Sequence, residues 1–190
     1  MSPHRFRPLT SGDAGEVMAF HDRCSETTQY LRFFAAKPHL QHHEAAYLCA
    51  VDQHERGAVV VTSLDDAREV HGIGSWDRVT EDVAEVAFVL EDSYQGRGIG
   101  RELVSDVLTK AHEAGYRTAI GDYLSANRRM RALLKRIGYP YADRPADCGV
   151  VAFTLDLDDR NATGCVGRAH TAINLNAAPR TGCAAMASGS

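Results

Sequence analysis

Short stretches in which apolar residues alternate with small or polar ones recur along the chain, and this period of two predicts β-strands. The clearest pattern lies at 83–90, with Val83, Val86 and Phe88. Acidic pairs at 65–66 and 81–82 fall between strands and suit turns, which favours an antiparallel meander. The predicted strands are residues 6–9, 57–63, 70–79, 83–90, 116–124 and 150–157.

Stretches with a period of three to four residues predict helices. The strongest, 100–114, carries one continuous apolar stripe and is followed by Gly115, a residue suited to end a helix. Asp13 is a candidate cap for the first helix. Residues 25–34 are polar at first and aromatic at the end, so a packed loop is expected there. The predicted helices are residues 11–24, 40–49, 100–114 and 127–137.

The order of these elements indicates a mixed α/β (α+β) domain with a strand–loop–helix–strand unit at its centre. Residues 1–159 have the length and apolar content of one domain with one sizeable core. Residues 160–190 are rich in alanine and glycine, contain no acidic residue and show no periodicity. We therefore expect a disordered tail at 160–190.

Composition narrows the range of partners. The net charge of −4 and the pI of about 6.1 argue against binding to nucleic acid. No apolar run reaches the ~20 residues of a membrane helix, and the first residues do not resemble a signal peptide, so a cytoplasmic protein without a membrane partner is expected. Five scattered cysteines indicate free thiols. The histidines do not form a metal-binding pattern, so no metal is expected.

A glycine-rich loop follows the strand at 83–90 and precedes the helix at 100–114. Gly96, Gly98 and Gly100 would let the backbone turn tightly and approach a ligand closely. The N–H groups and the dipole of a helix N-terminus attract a pyrophosphate. Arg97 and Arg101 would supply positive charge.

The spacing of the glycines separates this loop from two other phosphate-binding motifs. A dinucleotide-binding loop reads G-x-G-x-x-G, whereas this one has glycine at every second position. The chain also lacks the G-x-x-x-x-G-K of a P-loop. An oxidoreductase is thus disfavoured, and a simple connecting turn remains the plain alternative.

The run Gln95, Gly96, Arg97, Gly98, Ile99, Gly100 matches the Q/R-x-x-G-x-G/A signature of GNAT acetyltransferases. The resemblance implies acetyl-CoA as co-substrate, held by this loop, by Arg101 and by Asn127. It also implies the GNAT fold, a mixed and mostly antiparallel sheet that is flanked by helices and splayed between its fourth and fifth strands, with the pantetheine arm in the split.

Three segments resemble the bacterial protein lysine acetyltransferases of the Pat type. Residues 84–88 and 94–100 look like their central strand and cofactor loop, and residues 30–34 are similar to their substrate-side loop. The resemblance implies that backbone N–H groups of Phe88, Val89 and Leu90 bind the thioester carbonyl and the pantetheine amides.

Two carboxylates are candidates for the general base that deprotonates the amine. Glu85 lies in an otherwise apolar strand, where a charge is costly without a purpose, and it matches the Pat-type base. An exposed strand glutamate is its plain alternative. Asp122 is the rival, at the position where ribosomal-protein acetyltransferases carry an acid, and a solvated aspartate is the alternative there.

The general acid is less clear than the base. Many family members carry a tyrosine seven residues after the asparagine that corresponds to Asn127, but here that position is Leu134. A water or Ser125 would have to help, or the thiolate leaves without an acid. Asn127 could instead serve as the N-cap of the helix that follows it, and the two roles do not exclude each other.

The sequence therefore predicts an N-acetyltransferase that transfers acetyl from acetyl-CoA to a primary amine, most simply the side chain of a protein lysine. A small-molecule amine is the first alternative, and a non-catalytic acyl-CoA sensor is the second. The acceptor and the oligomeric state stay open.

Overall fold

The computed structural model describes residues 4–160, which form seven β-strands and five α-helices. The tail predicted at 160–190 lies almost wholly outside these residues. The strands are β1 His4–Pro8, β2 Arg56–Ser63, β3 Val70–Arg78, β4 Val83–Leu90, β5 Thr118–Leu124, β6 Tyr141–Pro145 and β7 Val150–Asp156. The helices are α1 Ala14–Arg23, α2 Glu26–Phe33, α3 His42–Cys49, α4 Ile99–Glu113 and α5 Arg128–Leu134.

All seven strands join one sheet in the order β1-β2-β3-β4-β5-β7-β6. The first four strands pair antiparallel as the predicted meander. Strands β4 and β5 are parallel, since α4 crosses over between them, and β5, β7 and β6 are again antiparallel. The expected mixed, mostly antiparallel sheet is confirmed.

Helices cover both faces of the sheet and enclose two apolar cores. The larger core lies between α4 and the sheet, and buries Trp76 together with the apolar stripe of α4. The smaller core lies under α1 and α3, around Phe20 and Val60. Helix α2 packs across β4 and β5 on the face of the smaller core, so it lies where those two strands part.

The loop predicted for residues 25–34 is wrong, because most of it forms α2. Ser25 caps this helix: its Oγ accepts a hydrogen bond from the Thr28 N–H at 3.2 Å. Thr28 and Gln29 are buried although they are polar. The helix ends at Phe34, which has a φ of 58°. The helix was missed because its buried residues are polar and bind neighbouring segments, so the sequence shows no apolar stripe there.

Two smaller details also differ from the sequence prediction. Strand β6 was not predicted; it is an edge strand with few apolar residues and ends at Pro145. Asp13 precedes α1 but does not cap it with its side chain. Its carboxylate instead accepts hydrogen bonds from Arg7 at 2.8 and 2.9 Å and from the Thr10 N–H at 2.8 Å. Within residues 4–160, no helix is both long and apolar enough to cross a membrane.

Candidate active site

Strands β4 and β5 separate after a short parallel contact. Their pairing covers only three positions and ends where Glu85 lies opposite Ile120. Beyond that point β4 continues to Leu90 with only β3 as its partner, while β5 continues to Leu124 with only β7. Residues 86–90 therefore present one backbone edge to a split, which is where the prediction placed Phe88, Val89 and Leu90.

Gly121 is required at the start of this split. A Cβ on this residue would lie 2.7 Å from the Val86 carbonyl oxygen and 2.7 Å from the Phe153 ring. Real side chains do not approach other atoms so closely, so only glycine allows β4, β5 and β7 to meet here. The sequence prediction did not single out Gly121, although a glycine inside a strand is a signal of close approach.

The glycine loop has the conformation that an anion site needs. Gly96 and Gly98 have φ values of 76° and 89°, which L side chains rarely adopt, and Gly98 is the N-cap residue of α4. Gly100 has no such constraint, and a Cβ there would make ordinary contact with Leu133 at 3.7 Å. Among residues 4–160, no hydrogen bond uses the N–H groups of 96–100. These donors are available to a pyrophosphate.

Positive side chains lie around this loop. Arg101, Arg129 and Arg136 line the same cleft as Gly96, Gly98 and Gly100. The Arg97 guanidinium lies 5.8 Å from the centre of the Tyr94 ring. The loop and its surroundings thus fit the phosphates of a coenzyme A.

Gln95, the first residue of the loop, uses its side chain to hold protein segments together. Its Nε2 donates to the Leu90 carbonyl at 2.8 Å and to Thr28 Oγ1 at 3.2 Å. Its Oε1 accepts a hydrogen bond from Arg129 at 3.0 Å. The side chain thereby joins the end of β4 to α2 and α5.

Glu85 lies at the point where the two strands part and lines the cleft. It is half-buried and faces Asp77 across the β3–β4 pair. Burial raises the pKa of Glu85 above the usual glutamate value, Asp122 and Asp77 raise it further, and Arg32 opposes them. A carboxyl group with a raised pKa is better matched to proton abstraction near neutral pH.

Asp122 lies in the same cleft but is more exposed than Glu85. It is on β5, two residues beyond the last residue that pairs with β4. The structure thus places both candidate bases in the same cleft, Glu85 on β4 and Asp122 on β5, with Glu85 nearer to the point where the strands part.

Asn127 is the N-cap of α5, because its Oδ1 accepts a hydrogen bond from the Met130 N–H at 3.0 Å. It also lines the cleft, so a role in binding the pantetheine arm is compatible with the cap. Leu134 is fully buried in the core. The hydroxyl of Tyr123, which lines the cleft, is bound to Asp143 at 2.9 Å.

Arg32 and Asp77 are cleft residues that the sequence prediction did not assign. Arg32 belongs to α2 and lines the cleft. Asp77 is engaged by the Arg56 guanidinium. The sequence does contain an indication for Arg32. If residues 26–33 are taken as a helix capped by Ser25, Arg32 lies one turn after Thr28 and therefore on the same face of the helix.

One cleft thus combines a split sheet, a glycine loop at a helix N-terminus and a carboxylate at the apex of the split. This combination suits a transferase that uses an acyl-coenzyme A. A family model described as "Acetyltransferase (GNAT) domain" matches residues 5–140. The chain belongs to this family.

Named relatives agree with the family assignment. Acetyltransferase Pat of Mycolicibacterium smegmatis is 31% identical over 158 residues, which cover 80% of this chain and 45% of that enzyme. The chain therefore spans less than half of that relative. The crystal structure of the GNAT domain of S. lividans PAT matches with a TM-score of 0.73 and 30% identity, and 80% of this chain and 90% of that one are covered.

A more distant structure shares the fold alone. Spermidine N-acetyltransferase from Vibrio cholerae, in complex with CoA and spermine, matches with a TM-score of 0.64 at 14% identity. The match covers 84% of this chain and 99% of that one.

Proposed function

We propose that this protein transfers the acetyl group of acetyl-CoA to the side chain of a protein lysine, with Glu85 as the general base. Acetyl-CoA supplies the thioester, and the amine nitrogen attacks its carbonyl carbon. A new N–C bond forms, the C–S bond breaks so that coenzyme A leaves as its thiolate, and the proton of the amine passes to Glu85. The Pat relatives, at 30% and 31% identity, support acetyl transfer by this domain.

The chain's own residues would each contribute one part. The N–H groups of 96–100 would hold the pyrophosphate, with Arg101 as a countercharge. The free edge of β4 from Phe88 to Leu90 would bind the pantetheine amides and steady the oxyanion. Asn127 would reach the pantetheine arm from the other side of the split. No group of three or more metal-binding side chains occurs in the part of the chain that is described.

The observation that carries the choice of a protein acceptor is the shape of the cleft. The cleft has a volume of about 3030 Å³, which includes the space expected for coenzyme A, and it continues beyond that space. It runs from the glycine loop past Glu85 to Lys37, Glu44 and Tyr47 on the far side. Tyr47 is 60% exposed there, and exposed aromatic residues are enriched in protein interfaces.

A small polyamine is the second candidate acceptor, because the Vibrio cholerae structure with the same fold binds spermine. The acidic groups Glu85, Asp122 and Asp77 in the cleft would attract such a cation. An open cleft does not enclose so small a molecule, which is why we favour the protein lysine.

The test is to incubate the purified protein with acetyl-CoA and either lysine-containing peptides or spermidine, and to detect acetylated products by mass spectrometry. We expect acetylated peptides at a rate that exceeds the spermidine rate, and loss of the product with Glu85→Gln. Faster acetylation of spermidine would establish the polyamine alternative. Tight acetyl-CoA binding without acetylation of any amine would establish a sensor.

A further inference from the structure

Arg32 carries a guanidinium group for which the described residues provide no hydrogen-bond or ion-pair partner. It lies on α2, is half-buried and lines the cleft, and it also borders a cavity of about 40 Å³ beneath the helix. Within residues 4–160 it makes no hydrogen bond, and no carboxylate oxygen lies within 4.0 Å of it. Its guanidinium carbon lies 5.3 Å from the centre of the Phe33 ring.

Two carboxylates, Glu85 and Asp77, lie near Arg32, yet neither forms an ion pair with it. Burial lowers the pKa of Arg32, and Glu85 and Asp77 oppose that shift. Asp77 is already engaged by Arg56. Glu85 forms no ion pair within 4.0 Å among the described residues, although Arg32 lies close enough to lower its pKa. The Glu85 carboxylate and the Arg32 guanidinium thus line the same cleft without forming an ion pair.

The backbone that carries Arg32 is held firmly. Thr28 lies one turn earlier on α2, and its Oγ1 donates to Asp92 at 2.9 Å and accepts from Gln95 at 3.2 Å. Asp92 also accepts hydrogen bonds from the Ser25 N–H and Oγ, at 2.9 and 2.7 Å. The helix is therefore tied to the cofactor loop, and Arg32 is presented from a fixed base.

A guanidinium offers five N–H donors in a planar fork that matches a carboxylate in two parallel hydrogen bonds. A ligand with an ammonium group for Glu85 and a carboxylate for Arg32 would satisfy both unpaired groups at once. An amine without a carboxylate would displace water from the site and would leave the Arg32 guanidinium without a hydrogen-bond acceptor.

We propose that Arg32 binds a carboxylate that the acceptor carries near the reacting amine, so that the enzyme favours a lysine with an acidic residue close to it in sequence. This inference rests on the proposed function. A peptide bound in extended form advances by about 3.3 Å per residue, so the positions one and two residues before and after the lysine are the ones to test.

The main alternative is that Arg32 serves only as a countercharge that tunes Glu85. In that case the loss of Arg32 would slow the acetylation of every amine by the same factor. The two roles are separated by a ratio: kcat/KM for a peptide with glutamate beside the lysine, divided by kcat/KM for the same peptide with glutamine. Any effect that acts through Glu85 cancels in this ratio.

The experiment measures this ratio with glutamate or glutamine placed one or two positions before or after the lysine. For at least one position we expect a ratio of about 10 or more in the unmodified protein, because hydrogen bonds to charged groups are the strong ones. Arg32→Gln should reduce the ratio to about one while acetylation of the glutamine peptide continues. Arg32→Lys, which keeps the charge without the fork, should give an intermediate ratio.

Arg68→Gln is the matched control, since Arg68 is exposed and its side chain does not line the cleft; its ratio should equal that of the unmodified protein. A ratio near one at all four positions, or a high ratio that survives Arg32→Gln, would overturn the proposal. If no peptide is acetylated, the proposed function fails instead. The same ratio is then measured with Nα-acetyl-lysine and its amide, and a preference for the free carboxylate that depends on Arg32 would point to a small amino acid.

Discussion

Gln95 Nε2 donates a hydrogen bond to Thr28 Oγ1 at 3.2 Å, and this contact joins the first residue of the glycine loop to the helix that borders the acceptor side of the cleft. The two residues are 67 positions apart in the sequence. Asp92, just before the loop, binds the same Thr28 hydroxyl at 2.9 Å. The segment expected to hold the pyrophosphate and the segment that presents Arg32 are therefore positioned together.

Thr28→Val should weaken this junction. Valine has nearly the same shape but lacks the hydroxyl, so Gln95 loses one acceptor and Asp92 loses one donor. Since Thr28 is buried, we expect the free energy of unfolding to fall by about 1 kcal/mol, measured by urea denaturation. The KM for a peptide acceptor should rise, because Arg32 lies on the loosened helix. Thr27→Val, at an exposed position on the same helix, is the control and should change the stability little.

Most of the fold was visible in the sequence, because the long helix α4 and the strands β2, β3 and β4 carry strong local periodicity. Helix α2 was missed since its buried residues, Thr28 and Gln29, are polar and depend on partners from elsewhere in the chain. Edge strand β6 was missed because it carries few apolar residues and ends in a proline. The periodicity of a short sequence segment carries no information about contacts with segments far away in the chain.

The candidate site was predictable to the same degree. The glycine loop and Glu85 follow from local sequence and a family signature. The presence of Arg32 and Glu85 in one cleft depends on the packing of α2 over β4 and β5, which the sequence does not show. Gly121 could have been noticed, but its contact with the Val86 carbonyl joins two strands that are far apart in the sequence.

The glycine loop should tolerate substitution unequally. Gly98→Ala places a side chain at a φ of 89°, which costs about 1–2 kcal/mol, so acetyl-CoA binding should weaken. Gly100→Ala should bind normally, since its Cβ meets only ordinary contacts. Gly100→Asp adds a negative charge where the pyrophosphate is expected and should abolish binding. Calorimetry on the folded variants measures these affinities, and normal binding by Gly100→Asp would argue against the loop as the phosphate site.

Asp92 should make the anchoring of α2 sensitive to acid. Burial opposes the change, but hydrogen bonds from the Ser25 N–H, the Ser25 Oγ and Thr28 together lower the pKa of Asp92 below its usual value. A carboxylate with a lowered pKa in the folded state stabilises the protein above its unfolded-state pKa of about 3.9, and this contribution is lost as the pH falls through the folded-state value.

The corresponding measurement compares the unmodified protein with Asp92→Asn in urea denaturation at several pH values. We expect the variant to be less stable by about 1 kcal/mol near neutral pH, because the hydrogen bonds from Ser25 and Thr28 lose their charged acceptor. The difference should begin to shrink below about pH 4, where the unfolded chain starts to bind the proton, and should be lost once the native carboxylate is also protonated. A difference that stays constant down to about pH 3 would show that the charge of Asp92 does not contribute.

A chain that ends at Arg160 should fold and act like the full chain. Both cores lie between Leu9 and Leu157, and Arg160 itself donates to Ser105 Oγ at 3.0 Å. The melting temperature and the rate of peptide acetylation should both be unchanged. A lower melting temperature would mean that residues 161–190 contribute contacts to the domain.

Glu85→Gln should separate the chemical step from cofactor binding. Glutamine keeps the shape of the side chain but cannot accept the proton, and general-base assistance contributes about 100- to 10,000-fold to the rate. The kcat should fall by a factor in that range, while the affinity for acetyl-CoA should stay nearly constant because, in the proposed mechanism, the glycine loop and the edge of β4 hold the cofactor. Burial, Asp122 and Asp77 raise the pKa of Glu85, so the acidic limb of the unmodified enzyme's pH–rate profile should lie above the usual glutamate value of about 4.3.

Asp122→Asn, measured in parallel, decides between the two carboxylates. If Glu85 is the base, the Asp122 variant should retain most of its kcat. The acidic limb of its pH–rate profile should move to lower pH, because Asp122 is one of the charges that raise the pKa of Glu85.

The deficit of Glu85→Gln should also shrink as the pH approaches the lysine pKa of about 10.4, since free amine then forms without assistance. A severe loss in Asp122→Asn with near-normal turnover in Glu85→Gln would reverse the assignment, and the proton would then be taken from the β5 side of the split.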